Sequence, residues 1–328
     1  MKTIDILNLG AGWQSTRLFL HACRGELPKF TAAVFADTQW EPKAVYKHLE
    51  WLKSLAIMFK IPIHVVTKGN LRADAIEFRE NRASSDGKRF ASIPVFVKRL
   101  DGKQGKVKRQ CTREYKIEPV DRCIRRDILG LKHGQRIPKD VLIRQWFGIS
   151  CDEGTRAVFP GRWQEKKKFF KDMFGDPAYT TLKKWVPSQR REHVYPLLNQ
   201  IWRADRTIID YPFFDRQQDR EDCGAWLRRE YPDRKIGRSA CNGCPFHDDP
   251  EWQDMKDNRP DEFEDACQFD EAQRHADQRN AGRRGKMVGE LYVHRSLIPL
   301  RQVQFTGPKS TGGGCGTLFD GQDGLCGL

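Results

Sequence analysis

Residues 3–16 read TIDILNLGAGWQST, and this stretch indicates the fold. An apolar run over residues 3–9 stops at Gly10-Ala11-Gly12, and residues 14–24 have the apolar spacing of a helix. Such a strand–turn–helix unit can hold phosphate, because bare backbone approaches the anion and the helix N-terminus supplies free N–H groups. An ordinary tight turn is the competing interpretation. The turn is neither GxGxxG nor GK(S/T), which disfavours a Rossmann dehydrogenase and a Walker ATPase.

The same alternation continues along the chain. Residues 31–36 and 62–67 are strand-like runs, residues 42–58 between them have helical spacing, and residues 141–149 form a further strand. This order predicts an α/β fold with a doubly wound, Rossmann-like parallel sheet. We expect further helical segments around residues 114–129, 205–230 and 260–280.

Composition suggests three regions. Residues 1–200 are predicted to form a nucleotide-binding domain that carries a basic insertion at residues 160–192. Residues 201–305 are predicted to form a mostly helical, cysteine-bearing region, and residues 306–328 a glycine-rich tail. Residues 68–110, rich in Lys, Arg, Gly and Ser, are expected to loop over the nucleotide side.

Charge and hydropathy limit the class of protein. The 328 residues include 58 Lys and Arg against 44 Asp and Glu, a net charge of +14, which favours polyanionic partners. No apolar run approaches the roughly 18 residues of a membrane span, and the N-terminus lacks the features of a signal peptide. We therefore expect a cytoplasmic protein without membrane contact. In such a reducing compartment, the ten cysteines are expected as thiols, metal ligands or catalysts rather than disulfides.

An acidic residue follows the second strand in FADTQWEP (residues 35–42). Asp37 stands at the carboxyl end of that strand, where open α/β sheets bind their ligands. It could contact a ribose hydroxyl or a metal on the phosphates. A cap for the helix over residues 42–58 is the alternative.

The strongest metal signal is the motif Cys241-Asn-Gly-Cys244, followed by Pro-Phe-His247. Two thiolates on a tight turn suit zinc or an iron–sulfur cluster. Zinc would take Cys241, Cys244, His247 and one further ligand. Two buried thiols in a turn are the remaining interpretation. We expect Cys23, Cys123, Cys151 and Cys267 to be packing residues.

Five blocks together resemble the PP-loop adenine nucleotide α-hydrolase superfamily, and its phosphoadenylyl-sulfate (PAPS) reductase branch in particular. The blocks are GAGWQST, FADTQWEP, RQCTREYKIEPVDR (109–122), YPLLNQIW (195–202) and SACNGCPFH (239–247). Gly10, Ala11, Gly12, Gln14 and Ser15 occupy the places of the PP-loop SGGxDS. Gln14 replaces the Asp, and PAPS reductases are similar in having a relaxed loop, because they bind a sulfonucleotide without splitting ATP.

The resemblance implies an adenine nucleotide as ligand, either ATP, adenylyl sulfate or PAPS. The residues expected to bind it are Gly10, Ala11, Gly12, Gln14, Ser15, Thr16, Asp37, Arg113 and Arg156. Cys111 matches the cysteine-bearing segment of the reductases, so that Cys111, Cys241 and Cys244 would hold a 4Fe–4S cluster with an open iron. Cys223 is the candidate for a fourth ligand, and zinc is the alternative metal.

Three functions follow from these features. The first is a PAPS reductase-like oxidoreductase in which Arg109, Arg113 and Lys116 hold phosphate or sulfate. Cys326, in a tail similar to the Glu-Cys-Gly end of the reductases, would attack sulfur, with Cys315 as its resolving partner. The second is an ATP-dependent sulfurtransferase that thiolates tRNA or DNA, favoured by the basic, aromatic insertion and supplied by a thiol or a cysteine desulfurase. The third is a metal-stapled nucleic-acid-binding module.

Overall fold

The computed structural model describes residues 2–77, 79–80, 88–89, 91–150, 206–274 and 289–306. Arg156, Cys315, Cys326, the basic insertion and the YPLLNQIW block lie outside the described residues. In chain order the elements are β1 (Lys2–Asn8), α1 (Trp13–Cys23), β2 (Ala32–Asp37), α2 (Lys43–Phe59), β3 (Ile63–Thr67), α3 (Leu71–Ile76), β4 (Arg79–Glu80), β5 (Lys88–Arg89), β6 (Phe96–Lys98), β7 (Gln104–Lys106), α4 (Glu118–Cys123), β8 (Val141–Phe147), β9 (Thr207–Asp210), α5 (Pro212–Asp215), α6 (Arg220–Glu230), α7 (Asp249–Asn258), α8 (Pro260–Gln273) and β10 (Glu290–Tyr292). Single π-helical turns, Arg113–Ile117 and Ile124–Ile128, extend α4 at both ends.

The central sheet has five parallel strands in the order β3-β2-β1-β8-β9. Alternate residues of its strands face opposite layers, as the pleat requires. Leu7 and Phe35 pack with α1 and α2 in one core, whereas Ile6 and Val34 pack with α4 in another. The predicted α/β fold is therefore confirmed, with helices on both faces of a parallel sheet.

The strand order reverses between β1 and β8, so the turns after these two strands lie side by side. Gly148 follows β8, and a Cβ there would lie 2.5 Å from the Ser15 nitrogen of α1. The Gln14 side-chain amide donates to the Ser150 hydroxyl across 3.3 Å. The crevice at such a switch point is where open α/β sheets bind ligands.

A second layer contains an antiparallel sheet in the order β10-β6-β7. Its core joins residues from distant parts of the chain, including Val97, Tyr115, Trp252 and Phe269. Strands β6 and β7 fall in the stretch that was expected to be a loop. Their pairing with each other and with β10 depends on tertiary contacts that no local pattern reveals.

The helical prediction around residues 205–230 is wrong at its start. Thr207–Asp210 forms β9 beside β8, in keeping with the β-branched Thr207, Ile208 and Ile209. The helix α6 begins only at Arg220, where Asp219 forms a capping box with Asp222. None of the helices in the described residues is long and apolar enough to cross a membrane.

Candidate functional site

A cavity of about 840 Å³ opens at the carboxyl ends of β1, β2 and β8. The segments that line it include the turn after β1, the segment around α4, and the segment that carries the CxxC motif. Of the predicted site residues, it brings together Gly10, Gly12, Gln14, Ser15, Arg109, Cys111, Arg113, Lys116, Cys241 and Cys244. Cys111 and Cys241 therefore line the same cavity, although they are 130 positions apart in the sequence.

The fold itself does not demand the two glycines of the first turn. Neither Gly10 nor Gly12 has a positive φ, and the nearest atom to an added Cβ is 3.8 Å away at each. The residue between them, Ala11, adopts the left-handed region with φ +53°. Neither backbone conformation nor packing therefore requires a glycine at these two positions. Without side chains, their backbone is open to the cavity, which suits close approach by a ligand.

The N-terminus of α1 faces the same space. Gly12 is its N-cap and provides no side-chain acceptor, and no acidic residue stands in the first turn. Neither a capping side chain nor an acidic residue of the first turn therefore competes with an anion at this helix N-terminus. The Ser15 hydroxyl accepts from the Gly10 N–H at 3.2 Å, which holds the turn.

Thr16 and Asp37 have partners away from the cavity. The Thr16 hydroxyl is fully buried and lies 2.9 Å from Nε2 of His48 on α2. Asp37 accepts from the Gln39 N–H at 2.7 Å and from the Tyr46 hydroxyl at 2.8 Å. Neither side chain is among those that line the cavity. The Thr16 and Tyr46 contacts join the strand–turn units to the helix α2. Asp37 does not cap that helix, because the N-cap is Pro42.

The sequence analysis missed Glu41, four residues after Asp37. Its carboxylate is almost completely buried and accepts from Lys116 at 3.1 Å, Thr38 at 3.4 Å and Ser239 at 3.3 Å. Its Oε1 also lies 3.8 Å from the Cys241 sulfur. A second acid in FADTQWEP was the available signal, but its position just before Pro42 is equally typical of a helix start.

This network determines the electrostatics beside the CxxC motif. Burial alone would lower the pKa of Lys116, but the Glu41 carboxylate raises it above its usual range, so the ammonium is charged. Burial, followed by the charge of Glu41, raises the pKa of the Cys241 thiol well above its ordinary value. In the protein alone, Cys241 is therefore a protonated thiol.

The CxxC motif forms a tight turn packed on Trp40. The Cys244 N–H donates to the Cys241 carbonyl at 3.0 Å, and the Asn242 N–H donates to the Trp40 carbonyl at 3.1 Å. A Cβ at Gly243 would lie 2.4 Å from the Trp40 ring, so only glycine fits there without displacement. The position of the turn therefore depends on Trp40, a residue about 200 positions away in the sequence.

His247, the third ligand of the zinc alternative, braces this turn. Its Nε2 lies 3.0 Å from the Cys241 carbonyl oxygen, and its ring packs edge-on against Trp252. Its Nδ1 is 3.5 Å from a Glu251 oxygen. The side chain is not among those that line the cavity.

Cys223 also lies apart from the other cysteines. It is fully buried in the core between α1 and α6, and its sulfur accepts from Arg17 at 3.7 Å. It is not among the residues that line the cavity, so the structure does not bring the expected fourth ligand to the CxxC turn.

A metal centre needs several donor atoms around one point, and the cavity offers thiol groups as donors. Cys111, Cys241 and Cys244 supply three soft thiol donors to one space, the set that iron–sulfur clusters use. In the described part of the chain, however, no three His, Cys, Asp or Glu side chains are already grouped closely enough to hold a single metal ion. The thiols share the cavity without forming a closed ligand set.

The cavity is strongly cationic. Nine Lys or Arg side chains among the described residues line it, against two carboxylates, Glu118 and Asp121. Arg109 lies 5.2 Å from the centre of the Phe246 ring, which fixes its direction. Arg238 is paired with Glu251, which completes the capping box that Asp248 begins at the start of α7. An anionic ligand suits this lining.

Comparisons with protein-family models, with curated proteins and with solved structures give no match for this chain.

Proposed function

We propose that this chain is a PP-loop-type enzyme of sulfur metabolism, similar to PAPS reductases, which binds an adenine nucleotide or sulfonucleotide and reduces or transfers its sulfur. One observation carries the proposal. The bare glycine turn and three cysteines line one cationic cavity at the switch point of a parallel sheet.

The phosphate end of the nucleotide would lie against Gly10 and Gly12. There the N–H groups at the start of α1 donate to phosphate oxygens, and Arg109 and Arg113 balance the charge. Gln14 offers an amide where a PP-loop has a carboxylate, and its amide already contacts Ser150. A neutral group there gives no ligand for a magnesium ion on ATP, which favours a sulfonucleotide.

The reaction requires a thiolate that reaches the sulfonucleotide sulfur. The new S–S bond forms as the S–O bond to the phosphate breaks, and the nucleotide leaves with its phosphate oxygen negatively charged. A second thiol then attacks the S-sulfocysteine, releases sulfite and leaves a disulfide, which an external dithiol reduces. Cys326 remains the predicted nucleophile and Cys315 the predicted second thiol.

Cys111, Cys241 and Cys244 would hold an iron–sulfur cluster if the cavity carries one. Bound there, the cluster would tune the electrostatics of the site and offer an open iron. Lys116, held by Glu41, would supply a fixed positive charge at the same place.

Calorimetry with ATP, adenylyl sulfate and PAPS tests the proposal. Gly12→Ala places a methyl group where the phosphate approaches, and among the described residues other than its chain neighbours the nearest atom to that methyl, on Ser239, is 3.8 Å away. We therefore expect at least tenfold weaker nucleotide binding at unchanged stability. Gly243→Ala is the matched control for a glycine that packing requires, and it should lower the free energy of unfolding. If none of the three nucleotides binds to the wild type, the proposal is wrong.

Sulfite release separates the reductase from the transferase. If the protein is a reductase, Cys326→Ser abolishes sulfite release from PAPS or adenylyl sulfate, because a hydroxyl is a far poorer nucleophile than a thiolate. Nucleotide binding by the same variant, measured by calorimetry, is the control. Release that survives the substitution would argue against the tail nucleophile.

A further inference from the structure

The cationic side chains of the cavity fall into two groups. Nine Lys or Arg side chains line it, whereas ATP or PAPS brings about four negative charges at neutral pH. Four of the nine are held in ion pairs with carboxylates: Arg113, Lys116, Arg125 and Arg238. The other five are similar in number to the charges of one nucleotide, so the case for a second ligand depends on where these cations lie.

Three of the remaining cations form an exposed group. Arg122 and Arg126 lie one helical turn apart in the segment around α4, and Lys132 follows in the next turn of the chain. All three are exposed and line the cavity. None of the ion pairs formed within the described residues includes them. We call Arg122, Arg126 and Lys132 the cationic rim.

The spacing of the rim suits a regular anionic chain. Side chains four residues apart on a helix have their Cβ atoms about 5–6 Å from each other. A nucleic-acid strand carries one phosphate per about 3.4 Å of helix axis, so neighbouring phosphates can contact Arg122 and Arg126 together. Arginine provides several donors in a fixed fork that matches a phosphate.

We infer that the cationic rim is a second anion-binding subsite, which binds the phosphodiester backbone of a nucleic-acid strand at the mouth of the nucleotide cavity. The rim lines the same cavity as Cys111, Cys241 and Cys244, so a strand held there lies next to the space that these thiols share. The role of a strand next to the thiols rests on the proposed function. The binding of the strand can be measured whether or not that function is correct. The inference gives the same enzyme a nucleic acid as its second substrate class.

The experiment compares two triple variants of the full chain. Arg122→Gln, Arg126→Gln and Lys132→Gln remove the rim. Lys29→Gln, Lys47→Gln and Lys60→Gln remove the same charge from exposed positions outside the cavity. Fluorescence anisotropy measures the binding of a labelled 20-nucleotide DNA strand, the same sequence as a duplex, and a tRNA transcript, each at several salt concentrations.

We expect the rim variant to bind its preferred nucleic acid at least tenfold more weakly, and the control variant to stay within about twofold of the wild type. The slope of log affinity against log salt for a single strand should fall by about 2 when three phosphate contacts are lost. The three nucleic acids distinguish RNA from DNA and single from double strands.

Three results would overturn the inference. The first is a wild type that binds none of the three nucleic acids, and the second is an equal loss of affinity in the rim and control variants. The third is a rim variant that also loses adenine-nucleotide binding by calorimetry, because the rim would then belong to the nucleotide site. Failure of the proposed function is distinct: the wild type would bind nucleic acid but no adenine nucleotide.

Discussion

The ammonium of Lys116 lies 3.1 Å from the Glu41 carboxylate, beside the CxxC motif. This pair joins the turn before α2 to the helical segment around α4, and the same carboxylate oxygen lies 3.8 Å from the Cys241 sulfur. Three distant segments therefore meet at one carboxylate. The Glu41 side chain is 1% exposed and that of Lys116 is 28% exposed, so the pair is largely removed from water.

Glu41→Gln should destabilise the protein, because it leaves the Lys116 charge without its partner in a mostly buried place. The partial exposure of Lys116 reduces the effect, so we expect a loss of about 1–3 kcal/mol in the free energy of unfolding, measured with urea. The double variant with Lys116→Met should recover part of that loss. A coupling below about 0.5 kcal/mol in the double-mutant cycle would contradict the structural role.

An anaerobic preparation should contain iron and sulfide if the three thiols hold a cluster. Cys241→Ala should then lose the brown colour and most of the iron, since one of three ligands is removed. Cys223→Ala is the matched control, because this thiol is buried between α1 and α6 and should leave the iron content unchanged. Zinc instead of iron in the wild type would select the alternative metal, and a folded, active, metal-free protein would reject both.

His48 should make the stability depend on pH. Burial lowers the pKa of His48 from about 6.5 to about 4, and Arg234 adds to the effect. Between these values the unfolded chain binds the proton and the folded protein does not, so stability is lost as the pH falls from 6.5 toward 4. We expect about 2 kcal/mol less stability at pH 5 than at pH 7 from this group.

The measurement compares urea unfolding of the wild type with that of His48→Gln at both pH values. The amide can still contact the Thr16 hydroxyl but cannot take up a proton in this range. The variant should therefore lose that part of the pH dependence. Equal pH dependence in both proteins would show that His48 titrates normally in the fold.

The local elements of the first 67 residues were predictable from the sequence. Apolar runs of strand length, a glycine turn and helical spacing are local properties, and they predicted β1, α1, β2, α2 and β3. The region from residue 68 to 110 was not, because β6 and β7 are only three residues long each and become strands by pairing with each other and with β10.

The site was predictable only in part, for the same physical reason. The glycine turn and the CxxC motif are local signals, so Gly10, Gly12, Cys241 and Cys244 could be selected directly. The place of Cys111 beside them was expected only from a family resemblance, since no spacing rule connects residues 130 positions apart.

Only the tertiary structure distinguished between side chains that the sequence presents alike. Asp37 and Glu41 are both acids near the end of β2, yet Asp37 accepts from Tyr46 on α2, whereas Glu41 turns inward to Lys116. Cys223 precedes the CxxC motif closely in sequence, yet it packs against α1. The sequence by itself determined the elements from β1 to β3, because their periodicity is local. Which side chains share a cavity depends on strand order and helix packing, which arise from contacts between distant segments.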